Sequence, residues 1–451
     1  MRRPVALLVL FALLALLPDE LAAKRRRKTP ASQPAASQPT AALEAEALKL
    51  AEVASQIRGL KVKRRITMGV VSRAQVLARL RQRIAEEYKD DEIAVDEAVL
   101  KRLGLLPKDV SYKQAVLDLL TDQVAGFYDP RDRQLHIADW LPAAMQTPAL
   151  VHEICHALQD QHFDLRPFVK PLKQQSDQQL ARSALVEGDC MGVMIEHMLA
   201  PSGRDLGSIG GMIDQIAKAT QTMGTGAFKK APRYLRETLT FPYVYGLRFL
   251  QKLRSLQPWS AVNQLFRRPP TSTEQMMHFD KYYTPDRPVR LTVRPLPALR
   301  DYREVKQDTL GEFQLRVYLE QAVEESIATR AAAGWETDRL VAFVPRQKPD
   351  NGAALSPPLV VHFASWESDA DALEFVNAQR RVLAKRHKTV KESGTAGVWL
   401  FVDAEGQEHS VQLFDRYVLT ILGAPAETRE LLQTQVWKEW RLGGKKLKAP
   451  R

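Results

Sequence analysis

Residues 148–158 read Pro148-Ala149-Leu150-Val151-His152-Glu153-Ile154-Cys155-His156-Ala157-Leu158. The apolar positions Ala149, Leu150, Val151, Ile154 and Leu158 predict a helix over about 145–160. Residues four apart on an α-helix are separated by only about 40° in projection. His152 and His156 therefore face one way and can share a single metal ion. Glu153 lies one step round the helix, close enough to take a proton from water activated by that metal but poorly placed as a ligand. Two neutral imidazoles with an open coordination position suit Zn²⁺. Without a metal, the same apolar flanks would half-bury two unpaired histidines, which is costly.

A third ligand has two candidates. Glu187 sits in Ala184-Leu185-Val186-Glu187-Gly188-Asp189-Cys190, inside a second apolar helical pattern over 177–199. A carboxylate embedded there needs a positive partner. His162 is the rival, because it follows His156 at the spacing HExxHxxGxxH of another class of zinc peptidase. That class turns its chain at a glycine, where this sequence has Gln159, a residue that resists positive φ. The steric argument favours Glu187. Asp189 is a carboxylate able to orient a ligand imidazole.

Further out, the pattern alternates between short strands and helices. A helix is expected over 42–56 and a strand over 61–71, then helices near 72–89, 93–103 and 111–123. Segments 124–128 and 134–138 read as strands joined by Asp129-Pro130-Arg131-Asp132, a turn sequence, so a hairpin lies just before the His helix. Helical patterns continue to about residue 266. Beyond Pro295 the texture changes to one long helix (309–332), strands near 339–345, 358–364, 397–402, 409–414 and 416–422, and helices at 367–386 and 426–440. The fold class is α+β. The expected organisation is a leader at 1–23, a basic then Pro/Ala/Ser/Gln-rich linker at 24–42, a catalytic domain at 43–290 and a smaller α+β domain at 291–451.

With 451 residues, 45% of them hydrophobic and 26% charged, the chain has the balance of a globular protein and not of a disordered or multi-span membrane chain. Arg2 and Arg3 precede a 13-residue apolar run from Val5 to Leu17, and Leu21-Ala22-Ala23 offers small residues for cleavage. That layout is a secretory signal peptide. The run falls short of the roughly 20 residues a spanning helix needs, so no stable membrane span is expected once it is removed. No cysteine follows it to carry a lipid, and the expected location is secreted or periplasmic. The net charge of +12 raises the question of nucleic acid, but residues 121–200 carry 6 basic against 11 acidic side chains. The run Lys24–Lys28 has no interleaved aromatics. No nucleic-acid partner is expected.

HExxH followed by a glutamate in a helical motif resembles the gluzincin zinc metallopeptidases. The sequence is similar, more closely, to a set of exported, uncharacterised bacterial and archaeal zincin-like proteins. The stretches that carry this are Gly126-Phe127-Tyr128-Asp129-Pro130, Val151-His152-Glu153, Asp160-Gln161-His162-Phe163-Asp164-Leu165, Phe241-Pro242-Tyr243 and Ser272-Thr273-Glu274-Gln275. Cys155 and Cys190 depart from that pattern, standing where Thr and Ala are usual. The resemblance implies a zincin-like domain with an edge hairpin, an active-site helix, a glutamate helix and a helical lower half. It implies Zn²⁺ on His152, His156 and Glu187, with Glu153 as general base toward a peptide or protein substrate added along the hairpin edge. It also implies an oxyanion donor beyond the glutamate helix. His278 is the first candidate, followed by Tyr243, Tyr245, Tyr282 and Tyr283. Two other functions fit the same residues: a non-catalytic binding protein on this fold, and a zinc hydrolase of a non-peptide amide or ester. Cys155 and Cys190 each follow a ligand by three residues on helices that must approach, so they form either a disulfide or a pair of buried thiols.

Overall fold

The computed structural model describes residues 9–11, 40–222, 226–284, 287–347, 355–392 and 397–447. The leader expected over 1–23 lies outside the described residues apart from Val9–Phe11, and the linker lies outside them up to residue 39. Among the described residues no helix is long and apolar enough to cross a membrane.

The N-terminal part is mainly helical around a small sheet. Its helices include α1 (Thr40–Arg58), α2 (Arg73–Glu87), α3 (Asp90–Leu103), α4 (Tyr112–Gln123), α5 (Ala143–Phe163), α6 (Ser176–Leu199), α7 (Arg233–Leu256) and α8 (Thr273–Met277). Ser72 starts α2 with a capping box completed by Gln75, while Ser111 and Ser272 cap α4 and α8. The strands are β1 (Thr67–Val71), β2 (Gly126–Asp129) and β3 (Gln134–Ala138). β2 and β3 form the expected hairpin, and β1 joins β3 in parallel, with Met68 opposite Leu135. Val9–Phe11 pairs antiparallel with β2 on its other side. The expected strand over 61–71 shrinks to β1, because the Lys63 and Arg64 amides bond the Gln161 side chain and not a neighbouring strand.

Two glycines set the packing of the helices that matter most. A Cβ on Gly188 of α6 would lie 2.3 Å from the Gly246 carbonyl carbon of α7, and one on Gly246 would lie 2.1 Å from the Ala184 carbonyl oxygen. Real side chains cannot occupy those positions, so α6 and α7 touch backbone to backbone.

The C-terminal part is a seven-stranded antiparallel sheet. Its strands are β4 (Tyr302–Asp308), β5 (Trp335–Pro345), β6 (Leu359–Trp366), β7 (Lys388–Glu392), β8 (Val398–Val402), β9 (Glu408–Phe414) and β10 (Tyr417–Ala424), in the order β4-β5-β6-β10-β9-β8-β7. Alternation along β5 sends Leu340 and Ala342 to one face and Val341 and Phe343 to the other. The first face packs on α11 (Asp369–Arg386) through Phe375 and Val376, and the second on α12 (Ala426–Glu439) through Leu432, Val436 and Trp437. The single helix expected over 309–332 is two, α9 (Gly311–Leu319) and α10 (Glu325–Ala332). Extended backbone at Glu324 restarts the chain as α10.

The two parts share packing. Val95, Val99, Leu100 and Leu103 of α3, which precede the hairpin in sequence, are buried against the C-terminal sheet. α9 divides its side chains: Phe313 and Val317 enter the core around α5 and α6, whereas Leu315, Tyr318 and Leu319 enter the sheet core.

Candidate metal centre

α5 and α6 bring three ligand groups together. His152 Nε2 lies 3.0 Å from His156 Nε2 and 3.2 Å from Glu187 Oε2, and His156 Nε2 lies 3.5 Å from the same oxygen. One ligand atom from each residue falls within 4.8 Å of the others, and all three residues are buried. Two nitrogens and a carboxylate at that spacing can hold a metal ion. The histidines come from one helix and are local to each other, whereas Glu187 depends on how α6 packs against α5.

Several features fix that packing. Cys155 and Cys190 are joined by a disulfide with Cα atoms 5.3 Å apart, linking the helix turns that carry the ligands. The α6–α7 glycine contact lies directly beside Glu187. Gln159 of α5 donates to the Val186 carbonyl (3.0 Å) and the Asp189 carboxylate (2.9 Å), and its oxygen lies 2.9 Å from His156 Nδ1. Asp189 accepts a 2.6 Å bond from Arg58, and both side chains are fully buried. Asp189 therefore meets His156 through Gln159 and not directly.

Glu153 is fully buried next to the ligands, and neither carboxylate oxygen has a well-formed hydrogen bond. Burial is the main cause of its pKa rising to about 8. The hairpin forms the wall beside it: a Cβ on Gly126 would lie 3.4 Å from Glu153 Cγ and 2.8 Å from the His136 carbonyl oxygen. Tyr128 ties the same strand to α5 by donating to Asp160 at 2.9 Å. Burial also holds His152 down near 4. At His156 burial opposes the charged form as well, but the neighbouring Glu187 carboxylate and further acceptors outweigh it and lift the imidazole.

His162 lies away from this cluster, near the end of α5, with Nε2 2.8 Å from the Lys61 carbonyl. His278 follows α8 and bonds Glu312 at 2.8 Å, which raises its pKa. None of its contacts is with the three ligand residues. Tyr282 donates to the Arg268 carbonyl, Tyr283 is 56% exposed, and Tyr245 stacks on Phe241. The aromatic ring that adjoins the centre is Tyr243, 6.4 Å from His152 between ring centroids.

Residues missing from the sequence reading are Arg58, Gly246 and Gln159 in its bonding role. The available signal was a glycine near the middle of each of two long apolar helices, which marks a close backbone approach.

Residues 298–432 match a protein family described as a domain of unknown function, DUF8575. That span covers the C-terminal sheet and ends outside α5 and α6. No curated protein and no solved structure matches the chain.

Proposed function

We propose that this protein is an exported zinc-dependent peptidase with a zincin-like catalytic part. The observation that carries the reading is the buried convergence of His152, His156 and Glu187 from two helices, beside an acid whose oxygens make no well-formed hydrogen bond. His152, His156 and Glu187 would hold Zn²⁺ through two Nε2 atoms and a carboxylate oxygen, a donor set that suits this ion. Bound there, zinc polarises a carbonyl and makes water nucleophilic near neutral pH.

Glu153 takes the proton from the attacking water and returns it to the leaving amine. Neither of its carboxylate oxygens has a well-formed hydrogen bond, although the Tyr128 amide faces the group, and this leaves the carboxylate available to that water. Removal of the leader would free the edge of β2 that pairs with Val9–Phe11, where Phe11 lies opposite Gly126, for an extended substrate. Gly126 in turn abuts Glu153, so a peptide added along this edge passes the general base. By position Tyr243, whose ring centroid lies 6.4 Å from that of His152, is the candidate oxyanion donor, whereas His278 bonds Glu312.

Zinc content and cleavage of a broad peptide library, measured for wild type and Glu153→Gln, test this reading. Zinc retained in both with cleavage lost in the variant is expected. Equal cleavage by the two proteins would remove Glu153 from the mechanism, and wild type with zinc but no cleavage of any peptide would point to a non-peptide substrate or a binding role.

A further inference from the structure

The hydrogen bonds of Gln159 settle a question of proton placement that the ligand set leaves open. This side chain is fully buried. Its Nε2 lies 3.0 Å from the Val186 carbonyl oxygen and 2.9 Å from Asp189 Oδ2, and its Oε1 lies 2.9 Å from His156 Nδ1. A peptide carbonyl can only accept, and so can an ionised carboxylate. Asp189 already accepts from the Arg58 guanidinium, 2.6 Å away, which is itself held by the Trp259 carbonyl at 3.3 Å and Asn263 Oδ1 at 3.0 Å. The NH₂ of Gln159 must therefore point at Val186 and Asp189, and its carbonyl oxygen at His156. An oxygen facing His156 Nδ1 requires a proton on that nitrogen. The lone pair then belongs to Nε2, the atom that faces His152 and Glu187.

Resting on the metal-centre reading, we propose that Gln159 is the positioning residue of the centre. It commits His156 to the Nδ1–H tautomer, so that Nε2 is the ligand atom. Arg58 and Asp189 act through it by fixing which way the amide points. A neutral amide between Asp189 and His156 also keeps the carboxylate charge off the imidazole, so the ring is oriented without acquiring a second anionic partner. The same amide bonds the carbonyl of Val186, the residue before Glu187. One side chain thus orients a ligand on α5 and spaces the helix that carries the third ligand. Met at this position keeps the length and loses all three bonds. Glu keeps the length but turns an oxygen toward two acceptors.

Zinc affinity is measured by competition with a chromophoric chelator for the full chain as wild type, Gln159→Met, Gln159→Glu and Glu187→Ala. Gln159→Met is expected to weaken zinc by about 10–100-fold, and Gln159→Glu by more, while each variant keeps a cooperative thermal transition. Nitrogen-15 NMR of His156 in zinc-loaded wild type is the second measurement and needs no variant to fold. A proton on Nδ1 and zinc on Nε2 are expected. Zinc on Nδ1, or unchanged affinity in a folded Gln159→Met, overturns the proposal. If wild type binds no zinc, or Glu187→Ala binds as well as wild type, the metal reading itself fails; loss in Glu187→Ala with no loss in Gln159→Met defeats only the role of Gln159.

Discussion

Among the described residues, one buried histidine–carboxylate cluster in each part invites comparison, and the two are built differently. In the C-terminal sheet, Asp338 accepts from the Leu310 amide (2.9 Å), the Gly311 amide (2.8 Å), the Trp335 indole (2.9 Å) and His362 Nε2 (3.2 Å). Burial alone would raise its pKa, but those donors reverse the effect and hold it below the usual value. Its bonds account for its presence: it ties the start of α9 to β5 and β6. Glu153 is equally buried, yet its oxygens lack comparable donors and its pKa moves up to about 8. A buried acid near a histidine is therefore not evidence of chemistry by itself. What separates the two is whether the folded chain has already used the acid's bonding capacity.

The sharpest test of that contrast is to remove one acid from each cluster. Asp338→Ala leaves several buried donors unpaired and is expected to cost about 3–5 kcal/mol of stability, with zinc affinity of the folded protein unchanged. Glu187→Ala should abolish tight zinc binding and leave the C-terminal sheet intact. A mild Asp338→Ala whose zinc binding also fails would show that the clusters are not distinct. Thermal melts and zinc titrations on the same samples decide it.

Next in size is the cross-link. Replacing Cys155 and Cys190 together by Ala is expected to cost about 2–4 kcal/mol and to speed zinc release, because only non-covalent contacts then hold Glu187 against the histidines. Unchanged melting and unchanged zinc release would assign the bond no part in the centre. Gly246→Ala drives a Cβ against the Ala184 carbonyl oxygen and should cost a comparable amount, about 3 kcal/mol or more from overpacking, and weaken zinc by pushing α6 away from α7. A glycine in the sheet part offers the control: Gly406, with nothing near its Cβ, should leave zinc binding untouched when changed to Asn.

The smallest effect is a pH dependence shared by both parts. Burial holds His136 in β3, His387 just before β7 and His409 in β9 near 4 instead of 6.5. Between those values the unfolded chain binds protons that the folded chain does not. Stability should therefore be level in these groups above pH 6.5 and decline as the pH falls toward 4. Buried acids such as Glu87 and Glu320, raised to about 7, titrate in the opposite sense over the same range, so the histidine contribution is read as a difference between proteins. In urea melts at pH 7.5 and 5, His136→Phe should lose less midpoint on acidification than wild type; an equal or greater loss in the variant would contradict the assignment.

Much of the candidate metal site could be read from local pattern, because its two histidines are local to each other. His152, Glu153 and His156 lie within one helical turn, and Glu187 stood out as a charge in an apolar helix. Five of the seven strands of the C-terminal sheet were legible through alternation such as that along β5, while the edge strands β4 and β7 were not. What could not be read is non-local. The parallel pairing of β1 with β3, the burial of α3 against a sheet more than 200 residues later, and the reach of Arg58 to Asp189 leave no periodic trace. In the sequence Gln159 reads only as a residue that is not glycine, since its bonds run to two partners across a helix interface. His278 is a candidate by its position in the sequence, and its bond to Glu312 comes from α9, an element whose packing the pattern does not reveal.

The central claim is that His152, His156 and Glu187 form one metal site. It is tested most directly by zinc titration of the purified protein by chelator competition, run beside Glu187→Ala. One zinc per chain, with tight binding lost in the variant, is the predicted result. No tight site in wild type, or a site of equal affinity in Glu187→Ala, would contradict it.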